Sequence, residues 1–576
     1  MGLKLMIALL ASGLMMCSVH AQQPYPGRLK WCAEARFGMF IHWGPVSLKG
    51  TEISWSRANT NPECPNNGPI PAAEYDSLYK RFDPVQFDAK EWVRTAKAAG
   101  MKYMVLTAKH GDGFLLWDSK VSDYNIMHTP FKRDVCGELA KAAHEAGMRI
   151  GWYFSPMDWK DPDCRTANNG EFVKRMRSEI QELLTNYGKI DLLWFDYDGR
   201  PVPWDQQATY AMVKKLQPNI VINNRFDLGA GVDAGSASSI GPNADYCTPE
   251  QWIGGYDDRH PWESCMTISR KGQWAWGGSD DGVKPLNSCL EMLIGCAGGD
   301  GNVLLNVGPM PTGQIAAGQV GRLKEIGAWL ARYGESIRGT RGGPYKPGEY
   351  GTSTRKGNTI YLHIRHWDEN FLKLPPLPAK VARSWLLTGG KVTVSSTIGG
   401  LRVMVPAKDR REEDTIVALE LNRPAIGIPA VAVPVAPSLA TGAKATASNV
   451  HHGSPEYGPD KAIDGREDTR WATDSGIHQA WLELDLGKPK SFDRVVILQA
   501  LPELKRIRKF AIEYWAAGQW KTCYRGTNLG ARLNAAFPKV TAQRVRLNIL
   551  EATDGPTISE FRVFAPSTPE SPQPET

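Results

Sequence analysis

The chain runs to 576 residues, with 68 Lys and Arg against 61 Asp and Glu and a formal net charge of +7. At roughly 150 residues per domain this is chain for two to four domains, and 42% apolar with 22% charged residues is the balance of a globular protein. The charges are interspersed and no long basic run is interleaved with aromatics, which excludes nucleic acid as a partner.

The first elements belong to targeting. Lys4 supplies a positive start, residues 6–16 are an apolar run, and Val19-His20-Ala21 fits a small-x-Ala cleavage site. The reading is a signal peptide over 1–21, cleaved after Ala21, and a secreted or periplasmic location. Cys17 invites a lipoprotein reading, but Met16 before it is too bulky for the usual lipobox. No later stretch approaches the ~18 apolar residues of a membrane span. An oxidising compartment permits disulfides; Cys64 and Cys164, in polar loop-like stretches, are placed to pair. Cys289 and Cys296 lie on an apolar helix and read as buried thiols. No C-x-x-C pair occurs, which argues against a structural zinc site.

Residues 22–341 read as one α/β domain. Apolar strands are expected at 37–41, 103–107, 149–154, 192–195, 220–223 and 303–306, each apolar on both faces, as parallel strands under helices are. Between them lie amphipathic helices. Asp88 caps the first of these and Gly100 closes it, Asp134 and Gly147 bound the next, and a third runs over 171–187. Repeated β–loop–α units over about 300 residues predict a TIM-like (β/α) barrel. A doubly wound sheet would need a Gly-rich phosphate turn after the first strand, and none is there. Residues 342–423 change to short strands, at 359–365, 380–387 and 401–406, set off by Gly, Pro and Asp; these predict a β-sandwich. A Pro-rich linker spans 424–438. A second β-domain covers 439–564, and 565–576 reads as a disordered tail.

In a barrel the chemistry sits where strands end. Those ends carry His42, Lys109-His110, Asp196, Asn223-Asn224-Arg225 and, in a later segment, Thr248-Pro249-Glu250. Together they predict a polar ligand pocket. Asp196 is the sharpest candidate, because a carboxylate directly after an apolar strand is costly unless paired or used. It competes with an N-cap role, and Asp198 shares its setting. Twenty Trp suit stacking on sugar faces and equally the filling of large cores.

The ordered set FGMFIHWGPVSL, FDAKEWVRTAKAAGMKYMVLTAKHGDGFLLW, DLLWFD, TPE, WESCMTI and GNVLLNVGPMPTGQI resembles the catalytic domain of the family 29 α-L-fucosidases over about residues 30–345. The resemblance implies a barrel followed by a β-sandwich and an exo-acting retaining glycoside hydrolase acting on fucosylated glycans. It implies Asp196 as nucleophile and Glu250 as acid/base, with Glu263 and Glu52 as alternatives for the second role. It implies His42, His110, Trp194 and Arg225 as sugar-binding residues, and no cofactor for catalysis. One departure stands out. The family usually carries two adjacent histidines where this chain has His110-Gly111; the missing imidazole opens space and puts L-galactose beside L-fucose as a candidate sugar. An α-L-galactosidase, or a catalytically silent glycan-binding protein, are the alternative readings.

The distal domain, with Asp464-Gly465, Thr469-Arg470-Trp471, WLELDLG and Ile558-Ser559-Glu560, resembles discoidin-like or family 32 carbohydrate-binding jelly rolls. That resemblance implies a structural Ca²⁺ on Asp464, Thr469 and Glu560, although Asp464-Gly465 is equally a turn signal.

Overall fold

The structure is a computed structural model. It describes residues 25, 27–59, 68–196, 204–228, 234–367, 370–397, 399–434, 437–466, 469–501 and 504–566. The expected signal peptide, nearly all of the tail, Asp198 and Cys64 lie outside the described residues. The chain divides into two units at Val433 and Pro434.

The first unit opens with helix α1 (Gly27–Ala35) and strand β1 (Phe37–Ile41). There follow α2 (Ala72–Ser77), α3 (Ala89–Ala98), β2 (Tyr103–Lys109), α4 (Val135–Glu145), β3 (Arg149–Phe154), α5 (Asn169–Thr185) and β4 (Leu192–Phe195). Then come α6 (Gln206–Leu216), β5 (Val221–Ile222), β6 (Glu263–Thr267), α7 (Leu286–Gly298), β7 (Asn302–Val307) and α8 (Ala317–Tyr333). The seven strands form one parallel sheet in the order β5-β4-β3-β2-β1-β7-β6. Between β5 and β6, residues 246–250 make isolated parallel bridges, Asn223 to Tyr246, Cys247 to Trp262 and Glu250 to Cys265. This segment supplies the eighth position and closes the ring into a barrel.

Alternation along each strand sorts the core. Phe40, Tyr103, Val105, Tyr153, Leu192, Trp194, Val221, Tyr246, Cys265 and Leu304 face inward and pack together. Met39, Ile41, Met104, Leu106, Ile150 and Trp152 face the helices. At Gly38 an added Cβ would fall 2.4 Å from the Tyr103 ring, so the glycine makes room for an interior tyrosine. The helices start as their sequences dictate. Asp88 accepts from the Lys90 and Glu91 amides, Asp134 from that of Gly137, which satisfies donors a helix start leaves open. Gly100 and Gly147 close those two helices at φ of 86° and 64°. Cys289 and Cys296 are buried on α7, and burial pushes their thiols up to about 11 and about 12. Cys164 is also buried.

Strands β8 (Arg341–Gly342), β9 (Gly351–Lys356), β10 (Thr359–Ile364), β11 (Leu372–Leu374), β12 (Val381–Leu386), β13 (Thr393–Thr397), β14 (Gly400–Met404) and β15 (Thr415–Leu421) follow. They make a five-stranded sheet, β12-β15-β10-β9-β8, and a three-stranded one, β11-β14-β13. Tyr361, Ile416 and Ala418 join the barrel's outer core, while Leu362, Leu386, Leu401, Val403 and Val417 fill the space between the sheets.

The second unit holds β16 (Lys444–Ala447), β17 (Trp471–Ala472), β18 (Ala480–Gln499), β19 (Ile507–Ala516), β20 (Gln519–Thr527), β21 (Arg532–Ala552) and β22 (Thr557–Phe564). All pairings are antiparallel, in the order β17-β22-β18-β21-β19-β20 with β16 on β18. Register breaks after Asp485 and Phe492 bend the long strands around a core of its own built on Trp471, Leu482, Phe492, Phe510, Leu547 and Phe561.

Candidate active site

The C-terminal ends of the barrel strands bring the expected residues to one mouth. Asp196 follows β4; its Oδ2 accepts from the Tyr153 hydroxyl at 2.6 Å and its Oδ1 from Arg225 Nη1 at 3.0 Å. Its side chain stays 27% exposed, so the carboxylate is both anchored and reachable. Arg225 is the hub. Its Nε donates to Thr248 Oγ1 at 2.9 Å, its Nη2 to the Thr248 carbonyl at 3.2 Å, and the same Nη2 lies 2.8 Å from Glu250 Oε2. One guanidinium therefore ties the ends of β4 and β5 to the ring-closing segment, and its two terminal nitrogens hold Asp196 and Glu250.

His110, Tyr153 and Trp194 form a continuous stack along one wall. The first pair lies 5.2 Å apart at 5°, the second 5.4 Å apart at 19°, and Arg225 caps the Trp194 face at 4.7 Å. His42 packs edge-on to His110 at 5.7 Å and shares its Nδ1 with Asn306 Oδ1 at 2.7 Å. His110 shares its Nδ1 with Ser54 Oγ at 2.6 Å, leaving each ring one free nitrogen. Burial pushes His42 down to about 3 and His110 down to about 4, so both imidazoles are neutral above those values and can donate and accept.

The two alternative carboxylates are committed elsewhere. Glu52 accepts from the amides of Ile53 at 2.9 Å, Trp274 at 2.7 Å and Ala275 at 3.0 Å; it ties down the loop after β6. Glu263 is the first residue of β6, paired in register with Asn302, the first of β7, so it sits toward the N-terminal floor of the barrel. There it accepts from Trp194 Nε1 at 3.1 Å and from the Tyr103 hydroxyl, and burial pushes it up to about 7. Lys109, beside His110, turns the other way into a buried cluster with Glu179 at 2.8 Å and Asp158 at 3.1 Å.

Gly111 differs from the expectation of opened space. An added Cβ there would lie 3.3–3.5 Å from the Trp159 ring, and the Trp159 amide donates to the Gly111 carbonyl at 2.7 Å. The indole stands where an imidazole would leave the backbone. Gly111 is also absent from the positive-φ glycines among the described residues, so its backbone is not what demands glycine. Sequence reasoning missed Tyr153, Asn306 and Ser54. The signal for Tyr153 is its inward-facing place one residue before the end of β3.

In the second unit, the Thr469 hydroxyl donates to both Asp464 oxygens at 3.0 and 2.8 Å and lies 3.3 and 3.1 Å from the Lys461 and Arg466 carbonyls. Glu560 Oε1 accepts from the Gly465 amide at 2.8 Å. Asp464 and Thr469 are thus joined directly, while Glu560 reaches the same loop through the Gly465 amide and its Oε2 accepts from Arg562 Nε at 3.1 Å.

Comparison with known proteins adds the following. A model described as alpha-L-fucosidase matches residues 19–335, and one described as F5/8 type C domain matches 444–562. Human plasma alpha-L-fucosidase is 29% identical over 367 residues, covering 58% of this chain and 76% of its own. Alpha-L-fucosidase isoenzyme 1 from Paenibacillus thiaminolyticus superposes at a TM-score of 0.61 with 33% identity, over 69% of this chain and 99% of that one. A GH29 alpha-L-fucosidase from Bacteroides thetaiotaomicron, trapped as a covalent intermediate with 2-fluoro-fucosyl fluoride, superposes at 0.58 with 28% identity, over 68% and 95%.

Proposed function

The chain belongs to the alpha-L-fucosidase family of glycoside hydrolases, and from that premise we propose an exo-acting retaining enzyme in which Asp196 is the nucleophile and Glu250 the acid/base. The observation that carries this is the pair of carboxylates on the two ends of the Arg225 guanidinium, since a retaining mechanism needs two carboxyls only about 5–5.5 Å apart. Asp196 attacks the anomeric carbon as Glu250 gives its proton to the leaving oxygen. Glu250, now a base, then takes a proton from the water that releases the sugar from Asp196. Arg225 and the Tyr153 hydroxyl donate to Asp196 and hold its carboxylate in place. The covalent intermediate trapped in the Bacteroides relative is the species this sequence of steps requires.

The neutral imidazoles of His42 and His110, with Trp194 and Arg225, supply the donors, acceptors and flat face that a deoxy sugar needs. L-Fucose is the substrate favoured by the family. L-Galactose is the second reading, because no side chain at Gly111 contributes a contact to the pocket. Asp464, Thr469 and Glu560, with the nearby carbonyls, offer the oxygen set that suits Ca²⁺, which would fasten this loop and play no part in the hydrolysis. The N-terminal stretch over 1–21, read as a signal peptide, supports export, and among the described residues no helix is long and apolar enough to cross a membrane.

Labelling tests the nucleophile. Incubation with 2-fluoro-fucosyl fluoride, followed by peptide mass mapping, should place one fluorofucosyl ester on Asp196; Asp196→Ala should lose kcat by roughly 10³-fold or more with Tm little changed. A label on Asp198, or an active Asp196→Ala, overturns the assignment.

A further inference from the structure

We propose that His451, His452 and Asp474 of the second unit form a binding site for a divalent metal ion of the zinc type. The three offer ligand atoms that all lie within 4.8 Å of one another, and this place is separate in sequence and chemistry from the oxygen cluster at Asp464.

The backbone brings the two imidazoles together. Neighbouring side chains point to opposite faces in a strand and diverge by about 100° in a helix. Here His452 is left-handed, at φ 51° and ψ 20°, and the two ring centroids stand 4.0 Å apart. A non-glycine residue in that region is strained and persists only where its surroundings hold it. Tyr457 packs edge-on against His451 at 5.2 Å.

The carboxylate is fixed independently of the histidine rings. Asn449 Nδ2 donates to Asp474 Oδ2 at 3.0 Å, the Asp474 amide donates back to Asn449 Oδ1 at 2.8 Å, and the His452 amide donates to Asp474 Oδ1 at 2.8 Å. Asn449 is in turn tied to the core, its carbonyl accepting from the buried Trp471 indole at 2.9 Å.

Distance then decides between a hydrogen-bonded trio and a metal site. His451 Nδ1 and His452 Nδ1 lie 3.6 and 3.8 Å from Asp474 Oδ1. A hydrogen bond there would be 2.7–3.2 Å, so neither ring is bonded to the carboxylate. Ligands about 2.0–2.1 Å from a tetrahedral zinc are separated by roughly 3.3–3.4 Å. The two gaps to the carboxylate need only a few tenths of an ångström of closure to match, and all three ligand atoms already lie within 4.8 Å of one another. Two imidazoles and one carboxylate are also the donor set of open zinc sites, with the fourth position left for water or an incoming oxygen. The solvent-facing His452, 78% exposed, leaves that position accessible.

The test uses the full chain without a polyhistidine tag, in saturating Ca²⁺ to keep the Asp464 cluster out of the titration. Calorimetry with Zn²⁺ should find one equivalent bound, and Co²⁺ should give visible bands of a four-coordinate site. The pair H451A/H452A should weaken binding at least tenfold, as should D474N. His452→Gly separates ligation from folding: it relieves the left-handed residue, so the metal-free Tm should hold or rise while Zn²⁺ affinity still falls at least tenfold. No saturable Zn²⁺ uptake below about 100 µM, or an affinity unchanged in the double variant, overturns the proposal.

Discussion

At the scale of single residues, the mouth of the barrel works by giving one cation two carboxylate partners. That arrangement makes the acid/base role testable at Glu250. Protonating the leaving oxygen matters most when that oxygen is basic. Glu250→Ala should therefore lose turnover on a natural glycoside far more than on an activated aryl fucoside, and added azide should restore turnover by giving a β-fucosyl azide. Equal losses on both substrates without azide rescue would remove Glu250 from the mechanism. Gly111 is the other residue whose environment predicts something. With no positive φ to forbid a side chain, Gly111→His must push the Trp159 ring, 3.3–3.5 Å from the new Cβ, by a few tenths of an ångström. Overpacking of that kind costs about 1–3 kcal/mol, so Tm should fall modestly. The added donor should shift kcat/KM toward aryl α-L-fucoside and away from aryl α-L-galactoside, since a hydrogen bond to the sugar discriminates where the glycine offers no contact. An unchanged ratio in a folded variant would separate Gly111 from sugar choice. His42 and Asp196 were legible because each directly follows an apolar run, and His110 and Arg225 because each ends the short polar stretch that follows one. Tyr153 was not, because an inward tyrosine within a strand looks the same in sequence whether it fills core or touches a carboxylate.

At the scale of elements, strands with unbroken apolar runs stood out from sequence and those with polar starts did not. β1, β3 and β4 carry only apolar or glycine residues at most positions and are buried throughout apart from the half-buried Arg149. β6 reads Glu-Ser-Cys-Met-Thr, yet every residue is buried; its polar side chains are satisfied inside the barrel, which no periodicity reveals. The ring-closing segment, interrupted by Pro249, could be read only as a polar-ended segment, and its place between β5 and β6 comes from three isolated bridges. Glu263 turns this into a measurement. A buried carboxyl raised to about 7 binds its proton more tightly in the native state than unfolded, where its value is about 4.3. It adds stability below the unfolded value, and that stability is lost as pH rises toward 7. Glu263→Gln keeps the shape without the charge. Between about pH 4.5 and 7 the stability difference, variant minus wild type, should grow in the variant's favour by up to about 3 kcal/mol, read as a diverging pair of Tm curves. Fucosidase activity should survive within about tenfold, because the side chain sits on the floor of the barrel and the chemistry at its mouth. A flat difference across that range, or activity lost as deeply as in Glu250→Ala, would contradict this placement.

At the scale of the whole molecule, composition alone marked where one kind of structure gives way to another. The alternation of strand and helix stops near Gly342, but the expected linker over 424–438 begins as part of the sandwich: Ala425 and Ile428 are buried in its core, Val431 bridges Tyr345, and the two units divide at Val433 and Pro434. What composition could not give was the pairing within the second unit, where two strands of 20 and 21 residues run through register breaks that interrupt their alternation. Each unit has an apolar core made only of its own residues, which is the condition for folding alone. A fragment of residues 22–433 should therefore keep the kcat/KM of the full chain on an aryl fucoside within about threefold, since every group placed in the chemistry lies in it. A fragment of residues 434–566 should show β-sheet circular dichroism and one cooperative melt. Calcium should act on this second fragment alone: if Asp464, Thr469 and Glu560 hold the ion, a hundredfold excess over its Kd stabilises by about 2.7 kcal/mol, a rise in Tm of roughly 10 °C or more for a domain of this size. The same addition should leave the melt and the activity of the first fragment unchanged. Asp464→Ala should abolish the calcium response of the second fragment while leaving its metal-free melt in place. A calcium-dependent activity in the first fragment, or an Asp464→Ala fragment that still responds, would show that the ion binds elsewhere.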